Sequence, residues 1–378
     1  MAEPALRFRS AGQHDLNALV NLEQRCFDAD RLSKRSFRHQ LQQDHNLFLV
    51  AERDAEVVGY VLVFLRRGTS LARLYSIAVA PEAHGLGLGR KLLTEAEQIA
   101  AERGRMFMRL EVRGDNQAAI RLYQTMGYRQ FGRYPDYYED HSDALRFHKR
   151  IIPRERVEEH LSDPEERVDY YAQTTEFTCG AASLLMAMHD LQEDVVCDQR
   201  EELQIWREAT TIFMTSGHGG CGPHGLAYAA RKRGFQARVY VNQRGPLFME
   251  GVRSESKKQI LELVHQDFLD KLKEQGVPIE YGSLSLVRMH SLLEANALLL
   301  VLISTYRFDG RKAPHWVLLV DMDADFVYIN DPDIDQDDAG SQLDKHYLPI
   351  PRASFEMMLH FGQNRLRCAV VVEAGSKP

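Results

Sequence analysis

Two groups of residues in this chain have the types and spacing that reactive chemistry needs. Cys179 opens an apolar helical stretch, 179–189, and His315 and Asp331 follow far downstream in what reads as a β-hairpin. A thiol at a helix N-terminus meets free N–H groups and the positive end of the helix dipole, which favour thiolate. A histidine can carry its proton, and a carboxylate can fix the imidazole tautomer and stabilise its charged form. Gln173, six residues before the cysteine, offers an amide donor to an oxyanion, as does the Cys179 backbone N–H. Folding the hairpin about Asp323 or Ala324 sets His315 opposite residue 331 or 332, where facing residues lie about 5 Å apart. Such a trio suits a cysteine hydrolase.

The second group is different in kind. Ile77, Ala78 and Val79 end a strand, and His84, Gly85, Leu86, Gly87, Leu88, Gly89 and Arg90 form a glycine loop that opens a helix. Glycines remove the side chains that would block a close backbone approach, so the loop's N–H groups can face a pyrophosphate. The helix dipole and the Arg90 charge favour an anion there. Taken alone such a loop is common; here Glu111, Asn116 and Tyr123 follow at fixed distances.

The elements that must position these groups fall into two halves. At 378 residues the chain exceeds the roughly 250–300 residues of a single core, so two domains are expected. Hydrophobic content of 44% and charged content of 27% fit globular protein and argue against disorder. Residues 1–152 hold 23 Lys and Arg against 19 Asp and Glu; the rest hold 24 against 35. A mildly basic first half suits an anionic cofactor, and an acidic second half argues against nucleic acid as a partner. Five cysteines make no disulfide framework, and the N-terminus lacks a signal-peptide core. The longest apolar run, 297–303, is too short to cross a bilayer. A cytoplasmic location with no membrane partner is expected.

In the first half, strands are expected over 47–51, 57–64, 74–79, 106–112, 128–133 and 144–149. Helices are expected over 89–102, with Gly104 as its breaker, and from an Asn116 cap to Met126, stopped by Gly127. This is a mixed α/β sandwich. Residues 153–168 are almost wholly charged or helix-breaking and read as a connector. Beyond it, helices are expected at 179–189, 201–214 and 226–233, and strands at 236–241, 298–303, 315–322, 326–330 and 366–372. Residues 243–295 are charged, helix-like and without a motif.

The loop at 84–90, followed by Arg109 to Arg113, Asn116 and the run from Leu122 to Tyr128, resembles the GNAT N-acetyltransferases, specifically their ribosomal-protein alanine branch, over about residues 5–150. The resemblance implies that Ile77, Ala78 and Val79 hold a pantetheine arm and that the segment from His84 to Arg90 cradles a pyrophosphate. It further implies that Asn116 contacts the cofactor, that Glu111 is the general base and that Tyr123 is the general acid. Acetyl-CoA is then the co-substrate, and a peptide or protein with a free amine the acceptor. His84 departs from the family, which carries Gln or Arg there. From the residues alone, Glu111 could equally pair with Arg109 or Arg113 and Tyr123 could simply pack.

The Gln173 to Cys179 offset of six, the His315 to Asp331 offset of sixteen, and Asn330, Asp331 and Pro332 resemble the papain-like cysteine peptidases that cut double-glycine leader peptides. This similarity is scattered over about 170–240 and 297–335, so 243–295 reads as an insertion. Glu176 is the sole acidic residue close to the cysteine, and no transporter membrane domain follows.

The expectation is therefore an α/β chain: a GNAT mixed α/β sandwich at 1–152, a charged linker at 153–168, and a papain-like α+β cysteine peptidase domain at 169–378. The residues leave open whether the second half cuts peptides or only recruits them, and whether the first transfers an acyl group or senses its cofactor. His218, Cys221 and His224 have metal-like spacing but lack an evident fourth ligand. Asp331, Asp333, Asp335 and Asp337 alternate as in a calcium loop, but Gln336 and Gln342 stand where glycine and a bidentate glutamate are needed. No metal is expected, and Cys26, Cys197 and Cys368 read as buried thiols.

Overall fold

The computed structural model describes residues 6–43, 46–65, 69–152, 168–211, 219–249, 252, 254–305, 313–333 and 345–375. Two compact units emerge, Met1–Glu166 and Arg167–Pro378. The connector at 153–168 lies, apart from Val168, outside the described residues. Among the described residues no helix is long and apolar enough to cross a membrane.

The first unit runs β1 (Leu6–Ser10), α1 (Leu16–Cys26), α2 (Lys34–Gln40), β2 (Asn46–Arg53), β3 (Glu56–Leu65), β4 (Leu71–Val79), α3 (Leu88–Glu102), β5 (Phe107–Arg113), α4 (Gln117–Thr125), β6 (Arg129–Tyr134) and β7 (Ala144–Arg150). Its seven strands lie in the order β1-β2-β3-β4-β5-β7-β6. Alternation along β3 sends neighbouring residues to opposite faces. Tyr60 meets Phe37 and Phe48 on one face, while Gly59 faces Leu88 and Leu92 of α3 on the other. Each fully buried leucine of this kind contributes about 1.5–3 kcal/mol, and α3 buries Leu88, Leu92 and Leu93 along one stripe.

One irregularity matters for function. β4 and β5 are the parallel pair, but they pair only from Leu71 to Leu74 against Phe107 to Leu110, although β4 continues to Val79. At that same point the β3–β4 ladder slips by one residue, so that Leu62 faces Ser76 while Val63 faces Leu74. A bulge bends its strand and ends pairing. The extra residue is Tyr75, and beyond it β4 and β5 no longer pair, which leaves a gap between the two strands.

The second unit comprises α5 (Cys179–Leu191), α6 (Gln199–Ala209), α7 (Pro223–Lys232), β8 (Gln236–Val241), α8 (Glu255–Glu274), β9 (Ile279–Tyr281), α9 (Leu286–Glu294), β10 (Leu298–Ser304), β11 (Pro314–Met322), β12 (Phe326–Asn330), β13 (Leu348–Pro351), α10 (Arg352–Met358) and β14 (Cys368–Glu373). Its sheet has the order β13-β12-β11-β10-β14-β8-β9, with only β8 and β9 parallel. α5 is buried along almost its whole length, as expected of a helix apolar on every side.

Several expected bounds shift. The helix expected to reach residue 214 stops at Ala209, because Thr210 turns extended and bridges Cys221. The helix expected from residue 226 starts at Pro223, where proline suits the first turn. The last strand begins at Cys368, since Leu366 is taken up in a bridge with Phe361. The stretch at 243–295, expected to be helix-like, supplies α8 and α9 and adds the edge strand β9.

Candidate active sites

In the first unit the glycine loop is open and strained toward conformations that glycine alone takes cheaply. Gly85 and Gly87 have φ of +79° and +69°, and a Cβ at either position would meet nothing within 4 Å. Gly87 caps α3, which starts one residue earlier than expected, at Leu88. Lys91 N–H donates to Gly87 O at 3.1 Å, so the N–H groups of the turn before it have no acceptor within the helix. That cradle fits a diphosphate. Arg90 is held beside it through Nη2 donating to Thr125 Oγ1 at 2.9 Å. His84 bonds back to the Val79 carbonyl through Nε2 at 3.0 Å. Its side chain therefore braces the end of β4, while the loop contacts remain those of the backbone.

Ile77, Ala78 and Val79 pair with β3 along one edge, at Val61, Tyr60 and Gly59, and their other edge borders the gap. Asn116 caps α4, its Oδ1 accepting from Ala119 N–H at 3.1 Å.

Glu111 and Tyr123 are not brought together; they sit on opposite sides of β5. Glu111 faces Arg146 across the β5–β7 ladder and accepts from Arg73 Nε at 2.9 Å, with Arg146 Nε at 3.7 Å. Neither Arg109 nor Arg113 is its partner: Arg109 lies over Phe131, and Arg113 binds Asp140 and Asp115. Tyr123 packs on Phe147 and Tyr128, which belong to the core on the other face. Burial pushes the Tyr123 phenol well above its ordinary range, so its proton is retained. Arg73 and Arg146 escape sequence reading because they come from strands 38 and 35 residues away from Glu111. Only the cross-strand register brings them together.

In the second unit Cys179 is the first residue of α5. Gly180 lets the helix start this close to the sheet: a Cβ there would lie 2.9 Å from Cys221 Cβ and 3.1 Å from Trp316 Cδ1. Trp316 Nε1 in turn donates to the Cys221 carbonyl at 2.9 Å. His315, next to that tryptophan, bonds Asp331 Oδ1 through Nε2 at 2.7 Å, and both groups are buried. Cys179 lies close enough to act on the imidazole electrostatically. With Nε2 given to the carboxylate, Nδ1 is the nitrogen left for sulfur. Burial by itself pushes the imidazole down, but the Asp331 charge and hydrogen bond, joined by Cys179, outweigh it and raise the ring to about 10.

The hairpin brings this about by a different register from the expected one. Leu318 faces Asn330, and a bulge between Leu319 and Asp321 shifts the ladder. Asp331 therefore follows on opposite Val317, and His315 reaches it along the diagonal, where side chains of this length still meet.

Gln173 is the least expected in its contacts. Its Nε2 donates to Asp333 Oδ1 at 3.0 Å, and its backbone N–H donates to Pro332 O at 2.8 Å. One amide hydrogen is thus committed to Asp333 and one remains. Glu202, fully buried, holds the same segment: it accepts from Tyr171 Oη, Thr174 N and Thr174 Oγ1 at 2.9, 2.8 and 2.7 Å. Replacing Glu202 with alanine removes the one buried acceptor shared by three donors of Tyr171 and Thr174. It is expected to cost the second unit about 3 kcal/mol, read as a lowered denaturant midpoint for that unit's transition.

Of the metal-like trio, Cys221 and His224 lie among the described residues. Among the described residues no group of three or more His, Cys, Asp or Glu could hold a metal ion. Cys221 packs against Gly180, His224 stacks edge-on to His265, and burial with that neighbour lowers the His224 imidazole to about 4. His218 and the acidic residues Asp335 and Asp337 lie outside the described residues.

Comparison with known proteins agrees with this geometry. A model of the Peptidase_C39 like family matches residues 168–373, more than half of the chain. The chain belongs to that family. This C39-like chain also carries, over residues 16–128, an Acetyltransferase (GNAT) family domain. An uncharacterized N-acetyltransferase of Methanocaldococcus jannaschii is 42% identical over 101 residues, which are 26% of this chain and 64% of that protein. An uncharacterized protein of Mycobacterium leprae is 34% identical over 128 residues, 33% of this chain and 34% of that protein. The chain thus spans less than two thirds of either relative's length. Among solved structures, the ribosomal-protein-S18-alanine N-acetyltransferase of Escherichia coli is 28% identical and matches 41% of this chain and 100% of that one, with a TM-score of 0.37.

Proposed function

We propose that this chain is a bifunctional cytoplasmic enzyme. Its C39-like domain, 169–378, would cut a peptide or amide bond, and its GNAT domain, 1–152, would transfer an acetyl group to a primary amine of a peptide or protein. The reading rests above all on Cys179 at a helix N-terminus, close to a histidine that a buried aspartate holds through Nε2.

In the hydrolytic half, the Cys179 sulfur attacks the scissile carbonyl, with the Cys179 backbone N–H and the remaining Gln173 amide hydrogen facing the oxyanion. His315 gives its proton to the departing amine, and water then releases the acyl group from sulfur as a carboxylic acid. The product amine is the kind of group that the other half consumes. In that half, Ile77, Ala78 and Val79 border the gap, the backbone of the loop from His84 to Arg90 meets the diphosphate, and Asn116 adds a polar contact. Acetyl-CoA, when bound, supplies an activated thioester. Glu111, through a water, takes the ammonium proton on one side of β5, and Tyr123 Oη gives a proton to the leaving sulfur on the other. Two separate groups suit direct transfer, since one proton leaves the amine nitrogen and another is gained by the departing sulfur.

Gly87→Val tests the loop. A β-branched residue in a left-handed turn costs roughly 1–2 kcal/mol, so calorimetry should show desulfo-CoA bound about tenfold more weakly or not at all. The whole reading is tested by mass spectrometry of a random peptide pool treated with the chain and isotope-labelled acetyl-CoA. Newly made N-termini carrying the label are expected with the parent and absent with Cys179→Ala. Label confined to termini present at the start would refute the coupling.

A further inference from the structure

The C39-like domain holds a second chain of contacts beside Cys179, His315 and Asp331, and it ends in a buried cation. Lys345 is 3% exposed, and its Nζ lies 3.3 Å from Asp333 Oδ2 and 3.6 Å from Asp331 Oδ2. The two aspartates are themselves linked, since the Asp333 backbone N–H donates to Asp331 Oδ1 at 3.1 Å. The Asp331 backbone N–H donates to the Lys345 carbonyl at 2.9 Å, which fixes the lysine to the end of β12. Asp333 also accepts from Gln173 Nε2.

A carboxylate only accepts, so Asp333 decides which end of the Gln173 amide faces it and turns Nε2, not Oε1, that way. Gln173 Oε1 is buried without a partner, so Asp333 is the amide's orienting contact. Two aspartates this close repel, and a buried ammonium between them offsets that repulsion. Without it, the cheapest relief is for Asp333, whose side chain is 46% exposed, to swing into water. Gln173 would then lose its orientation while His315 kept Asp331.

From this geometry we infer that Asp333 and Lys345 are positioning residues for Gln173: one cation holds two aspartates, one serving the histidine and the other the oxyanion donor. The inference rests on the hydrolase reading of Cys179. It differs from a purely structural role because it separates two reactions of one thiol. Iodoacetamide forms an S–C bond and expels iodide without any oxyanion. p-Nitrophenyl acetate forms an S–C bond at a carbonyl, passes through an oxyanion and expels p-nitrophenolate with the bonding pair.

The test measures both rates at Cys179 in the full chain, with Cys179→Ala as the background. Asp333→Ala should lower the ratio of acylation to alkylation about tenfold or more, the size expected when an oxyanion donor is misplaced. Lys345→Met should lower it similarly, and Lys345→Arg should restore part of it. Because Asp333 is half exposed, its alanine variant decides the matter even if the lysine variant does not fold. A reactive parent with an unchanged ratio in Asp333→Ala overturns the relay alone. A parent Cys179 no faster than free cysteine overturns the hydrolase reading and the relay with it.

Discussion

Asp331→Asn is expected to slow alkylation of Cys179 near neutral pH by one to two orders of magnitude, less than the roughly 10⁴-fold loss of turnover when a serine triad loses its orienting carboxylate, because alkylation needs neither an oxyanion nor a protonated leaving group. Asparagine keeps the shape but removes the charge that, with its hydrogen bond, raises His315 to about 10 against the downward push of burial. The imidazole then titrates lower and no longer stands beside the sulfur as imidazolium. Peptide cleavage needs the imidazolium to protonate the departing amine. Its basic limb should fall near pH 10 in the parent and move down toward the ordinary histidine value of 6.5 in the variant. The same shift has a stability consequence of definite sign. A histidine raised in the folded state contributes stability that is fully present below 6.5 and lost as pH climbs to about 10. Denaturant midpoints of the parent should decline across that window, and Asp331→Asn should flatten the decline. Unchanged alkylation in the variant would mean that Asp331 does not serve the histidine.

Glu111→Gln is expected to lower acetyl transfer about a hundredfold or more, the contribution typical of a positioned general base, with little change in KM for the amine. A competing role is written into the same contacts, because Glu111 lies between the buried Arg73 and Arg146. Removing the carboxylate's charge leaves two buried guanidiniums facing each other, which costs on the order of 3–5 kcal/mol if nothing else adjusts. The two roles separate in one pair of measurements. A base shows as a fall in kcat in a variant that still binds desulfo-CoA. A purely structural anion shows as a lowered unfolding midpoint for the first unit with kcat retained in the folded fraction. Tyr123→Phe provides the matching test on the other side of β5, where burial keeps the phenol protonated and able to act as an acid.

Much of the fold was legible because its signals are local. Gly87, Asn116 and Gly127 mark helix ends by their own backbone and capping chemistry, and α3 and α4 lie within one or two residues of their expected bounds. Strands 236–241 and 326–330 were readable as apolar runs between turn residues and coincide with β8 and β12. What escaped reading depends on register. The bulge at Tyr75 that opens the gap beside β4, and the shift between Leu319 and Asp321 that sets Asp331 diagonal to His315, each turn on one extra residue in a ladder. No local pattern announces either. Likewise Lys345 reads as one more charge in an acidic stretch, and Glu202 as one face of a polar helix. Their burial is decided by segments far along the chain.

The most direct test of this account is the rate at which iodoacetamide labels Cys179 at pH 6, read by mass spectrometry residue by residue. Burial pushes the thiols of Cys26, Cys197, Cys221 and Cys368 up, so they should stay slow and serve as internal references. Cys179 should react at least about tenfold faster than free cysteine, because it sits at the start of α5 beside the His315–Asp331 pair. A rate at or below that of free cysteine would contradict it.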